Sequence, residues 1–217
     1  MLSFDYAYKQ LFERGRIRKL ICLALLLSGL NHSFVLKGET EVERLKIERL
    51  VREMLKWSEG KNSITVFKGV EKDSVYIGLD MDEHALNLNK LEEGGFFADE
   101  FIADYDSIIR LIDRNLRNGK YAPWYIGEFP PFEFSADANI WCNCQDFPYD
   151  SPHPYDHVEV VLQSLDAEKA SGYWKWGGLN NSYSAGWRNF KYGFGVVKEA
   201  GAWKISRLQN FVFTPDA

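Results

Sequence analysis

Residues 141–157 read WCNCQDFPYDSPHPYDH and bring together Cys142, Cys144, His153 and His157. Two sulfurs and two imidazoles would make a donor set for tetrahedral zinc. The spacing fits zinc poorly, because zinc motifs hold paired cysteines about two to four residues apart so that a turn aims both sulfurs at one ion. Pro152 and Pro154 also rule out a helical i, i+4 histidine pair. A second chemistry is a disulfide across one intervening residue. In an extended strand the two cysteines share a face about 7 Å apart, whereas bridged Cα atoms want about 4.4–6.8 Å. Such a bridge would be strained and labile to reduction. The third reading, and the one preferred, is two small buried thiols beside Trp141 with both histidines in a loop, since free cysteine is among the most buried residue types.

Aromatic residues form the other constellation. Trp124, Tyr125, Trp141, Trp174, Trp176, Tyr183 and Trp187 contribute to an aromatic share of 15%. The plain role of such rings is to fill the core. The functional alternative is a concave aromatic cleft, rimmed by Asn180, Asn181 and Ser182, for an apolar or saccharide-like ligand, and the partner expected of the whole protein is a small molecule or, if the chain is exported, an envelope protein. No G-x-S-x-G, phosphate-binding glycine loop or H-E-x-x-H occurs, and no cofactor is expected.

The elements that would position these residues follow from patterning. Arg14, Arg16, Arg18 and Lys19 precede the apolar run Leu20–Leu30, the layout of a secretory signal over residues 1–33. Eleven residues rise about 16 Å as a helix, too short to cross a hydrocarbon core of roughly 30 Å. Removing 1–33 leaves 21 basic and 29 acidic residues, a net charge of −8. That balance argues against nucleic acid or an anionic membrane as partner. An exported chain would also lose Cys22 and keep an even cysteine count in an oxidising compartment.

A single domain is expected over 38–217. Thr40 and Glu43 form a capping box for a first helix ending at Gly60. Residues 64–80 suit a hairpin or an extended connection. Two further helices end at Gly94–Gly95 and at Gly119. Pro123, Pro130 and Pro131 exclude a central strand between them and the next segment. After residue 156 the period changes to two, over HVEVVLQSL, KASGYWKWGG, NFKYGFGVVK and AWKISRLQNFVF, with Trp187 opening the third strand. Helices followed by an antiparallel meander give an α+β class, with helices packed on one face of a bent sheet.

This order, closing on GFGVVKEAGAWKISRL (193–208), resembles the nuclear-transport-factor-2-like (cystatin-like) cone. More narrowly, DANIWCNCQD resembles a motif of a bacterial envelope family of unknown function, at Asp137, Gln145 and Asp146. The resemblance implies N-terminal helices covering a strongly bent antiparallel sheet, over residues 40–213, in the periplasm or cell envelope. It adds Gln145 and Asp146 to the ligand-binding set. Some members of the cone fold are enzymes with an Asp base and a Tyr donor. That alternative would use Asp146 as base, assisted by Tyr149 or His153. Fold alone does not convey chemistry, and a non-catalytic binding protein is the reading preferred.

Overall fold

The structure is a computed structural model that describes residues 40–135 and 138–213. The expected signal at 1–33 and Asp137 of the resemblance motif lie outside the described residues. The chain divides into two compact units, residues 1–45 and 46–217. Of the first, the described residues are 40–45, helical and carrying an Arg44–Glu41 ion pair.

Residues 40–58 are helical (α1). The buried stripe within the second unit is Ile47, Val51, Met54 and Leu55, at helical spacing, with Leu50 and Trp57 half-buried beside it. A hairpin follows, β1 (Gly69–Lys72) and β2 (Val75–Leu79). Its two-residue turn, Asp73–Ser74, has φ of 49° and 67°, the left-handed pair that matches strand twist. Helix α2 (Met81–Gly94) starts at Asp80, whose side chain accepts from Glu83 N, and stops at left-handed Gly95. Helix α3 (Asp99–Arg117) buries Phe101, Tyr105, Ile109 and Ile112. Strand β3 (Trp124–Tyr125) joins the edge of the hairpin, completing a three-stranded sheet in the order β1-β2-β3. The proline-bounded segment thus supplies an edge strand, the place where missing donors cost least.

The larger sheet is a meander, β4 (Val158–Leu165), β5 (Lys169–Trp176), β6 (Tyr192–Glu199) and β7 (Ala202–Leu208), antiparallel throughout. Residues 96–98 extend it beyond β7, with Ala98 N donating to Ile205 O and Ile205 N to Phe96 O, both 2.8 Å. One face carries Val158, Val160, Ala170, Trp174, Trp176, Tyr192, Phe194, Val196, Ile205 and Leu208 into the core. The ladder slips between Leu162 and Ser164, and again between Gly195 and Val196, and such bulges bend the strands they interrupt. A Cβ at Gly172 would lie 2.2 Å from Val161 O, so only glycine lets β4 and β5 pair there.

The chain is therefore α+β, with four α-helices and two open antiparallel sheets among its described residues. Trp187 does not open a strand. It lies in a short helix, α4 (Ala185–Asn189), because Ser184 caps Trp187 N and turns the chain first. No helix among the described residues is long and apolar enough to cross a membrane.

Candidate functional site

Cys142 and Cys144 form a disulfide. Both are buried, as expected of small apolar side chains, but they are not free thiols. The extended-strand distance does not apply, because residues 140–143 turn. Asn139 O accepts from Cys142 N (3.1 Å) and Asn143 N (2.7 Å), and Asn139 Oδ1 accepts from Trp141 N (2.9 Å). Asn143 adopts φ 49°, and the cysteine Cα atoms close to 5.2 Å, inside the disulfide range.

The bond also corrects the zinc reading, since neither sulfur is left as a thiolate ligand. His153 Nδ1 instead lies 3.8 Å from Glu59, and the His157 ring packs on Tyr149. No group of three or more His, Cys, Asp or Glu among the described residues is placed to hold a metal.

Asp146 and Gln145 are exposed. Tyr149 donates to Gly177 O, and burial, then the nearby Tyr183 and Glu159, push its phenol up to about 12. Tyr149 and His153 thus have different partners, Gly177 for the one and Glu59 for the other.

The marked tryptophans occupy three places. Trp124 packs on Phe67, Tyr76 and Phe132, with Tyr125 exposed on the opposite face of β3. Trp141 packs on Trp57, Phe97 and Phe211. Trp174 and Trp176 are buried around Tyr155, with Trp187 at their edge.

Three hollows among the described residues are lined by other residues. One cleft of about 410 Å³ is formed by Glu133, Ser135, Ala138, Asn143, Gln209, Asn210 and Val212. A second of similar size lies between the start of α3 and the larger sheet, and a smaller third runs along α3. Val212 lines all three.

The first cleft has a simple construction. Each of its walls is a polar position between buried anchors: Glu133 between Phe132 and Phe134, Asn143 between Cys142 and Cys144, and Gln209–Asn210 between Leu208 and Phe211. Two of these anchors touch, Phe211 and Phe134 at 6.3 Å, and Phe211 also packs on Trp141 beside the disulfide at 4.9 Å, centroid to centroid.

Polar contacts then lock the walls to one another. The Tyr192 hydroxyl donates to Ile140 O at 2.7 Å and accepts from Asn210 N at 3.2 Å, tying the cysteine loop to the chain after β7. Burial raises the Tyr192 phenol far above its ordinary pKa, so it stays a donor. Gln209 Oε1 accepts from Gly193 N at 2.9 Å, which fixes that side chain and leaves its NH2 group to donate.

Two residues of positive φ line this cleft. The five non-glycine residues with positive φ among those described are Asp73, Ser74, Ala200, Ser135 and Asn143. The first three sit in hairpin turns, where that conformation is required. Asn143 closes the 140–143 turn, where asparagine tolerates that conformation, and Ser135 lines the same cleft.

The sequence reading missed Glu133, Ser135, Gln209 and Asn210. Their signal was the short alternation in FEFS, CNC and LQNF, polar residues set between apolar anchors. No family model, no curated protein and no solved structure matches the chain.

Proposed function

We propose that this is an exported, non-catalytic binding protein that holds a small polar ligand in the cleft of Glu133, Ser135, Asn143, Gln209 and Asn210. The observation that carries the reading is the Tyr192 hydroxyl, which joins the two walls of the cleft in one hydrogen-bonded unit. A site whose groups are fixed before binding loses less entropy on binding. Its volume is within the range of small-molecule sites.

Export is supported by the disulfide, since such bonds persist in oxidising compartments. The basic-then-apolar N-terminus points the same way. A cone of the nuclear-transport-factor-2-like kind is supported by helices preceding a bulged four-stranded meander. A non-catalytic role is supported by the lining. Its one carboxylate, Glu133, has no hydrogen-bond partner among the described residues, whereas a general base must be positioned.

The test is ligand-observed NMR against a library of polar fragments, comparing the native chain with Asn210→Trp, which fills the cleft. Fragments that bind the native chain should be lost by the variant and kept by Ser182→Trp, a control at an exposed position before α4. Fragments that bind all three proteins equally would place recognition elsewhere and end the proposal.

A further inference from the structure

We infer that the ligand of this cleft is a neutral saccharide, a deepening that rests on the binding reading above. The lining supplies three carboxamides (Asn143, Gln209, Asn210), one hydroxyl (Ser135) and one carboxylate (Glu133). A carboxamide offers both donors and acceptors, and a carboxylate only accepts. A sugar hydroxyl donates and accepts through one atom, so neighbouring hydroxyls can satisfy Glu133 and a carboxamide at once.

Other ligand classes fit less well. No Lys or Arg is among the described residues lining the cleft, and Glu133 would repel an anion. The walls are turns, so they present no strand edge to pair with an extended peptide. Val212, 57% exposed at the rim, gives the C–H face of a sugar ring an apolar contact.

Two features keep these groups in place. Gln209 is held by Gly193 N, which aims its NH2 group. Asn143 is held inside the small ring closed by the disulfide, which limits the positions its side chain can reach. Glu133, Ser135, Asn143 and Asn210 have side chains without a hydrogen-bond partner among the described residues.

The experiment is a titration of the folded, oxidised protein with maltotriose, chitotriose, triglycine and citrate, following the side-chain NH2 signals of Asn143, Gln209 and Asn210 by NMR. At least one trisaccharide should shift all three signals saturably. Glu133→Gln, an exposed change that spares the fold, should weaken that binding at least about tenfold, the loss of roughly one hydrogen bond of 1.4 kcal/mol. If triglycine or citrate shifts these signals and neither saccharide does, the saccharide class is overturned and the cleft remains a binding site. If none of the four shifts them, the saccharide inference is also overturned. Fragments lost in Asn210→Trp would then still uphold the binding reading, so the two failures are distinguishable.

Discussion

Replacing Tyr192 with Phe removes one oxygen and leaves the ring, which stacks on Trp174 with centroids 5.5 Å apart. The lost hydroxyl satisfies Ile140 O and accepts from Asn210 N. Tyr192 is fully buried, so water cannot easily replace it at Ile140 O. Leaving a buried acceptor unsatisfied costs about 1–3 kcal/mol. In a protein of this size each kcal/mol lowers Tm by about 2–4 °C, so the fall should be roughly 2–12 °C. Urea unfolding should show a lower midpoint with an unchanged slope, because the surface exposed on unfolding is the same. In the native state, the amide protons of residues 139–144 and 209–210 should exchange faster, while those of β5 at Tyr173–Trp176 should not. A variant as stable as the parent, with unchanged exchange in both loops, would refute the claim that this hydroxyl joins the walls.

Changing Cys142 and Cys144 together to Ser should cost about 1.5 kcal/mol by chain entropy for so short a loop, a smaller effect than most disulfides have. Mass spectrometry of the unfolded chain should show Cys142 and Cys144 alkylated only after reduction, and their alkylation without reductant would contradict the bond. Phe211→Ala removes the ring shared by Phe101, Phe134 and Trp141 and should destabilise by about 3–5 kcal/mol in urea unfolding. A loss below about 1 kcal/mol would mean that Phe211 is not the hub.

The last of these predictions concerns acid. Burial works to raise the Asp106 carboxyl, but hydrogen bonds from Arg110 and His84 and their charges outweigh it and hold it below its ordinary value. A depressed carboxylate adds stability above its unfolded pKa of about 3.9 and loses it as pH falls through the folded value. The stability gap between the native chain and Asp106→Asn should therefore shrink as pH falls below about 4. A gap that widens there would reverse the sign of the interaction.

What was legible in the sequence was what periodicity carries. The strands after residue 156 announced themselves by alternation, and α2 and α3 by their glycine stops and apolar stripes. Trp187 was misread because it stands just ahead of the alternating Phe190, Tyr192 and Phe194, whereas one hydroxyl, Ser184, decides the local structure by capping. The cysteine pair was misread because strand spacing was assumed where Asn139 folds the chain into a turn.

The cleft was harder still to see. Its described walls come from residues 133–135, 138–143 and 209–212, far apart in sequence and joined by Tyr192, and no local pattern encodes that meeting. The tryptophans attracted attention by type, yet Trp124, Trp141, Trp174 and Trp176 are buried in the core. Polar residues set between buried anchors were the more informative feature, and they are inconspicuous in composition.

The most direct test of a cleft fixed before binding is ¹⁵N relaxation on the ligand-free, oxidised protein. Residues 139–144 and 209–210 should show order parameters near 0.85, like the strands of the larger sheet. Values below about 0.6 in either segment would mean mobile walls and would contradict a site organised in advance of its ligand.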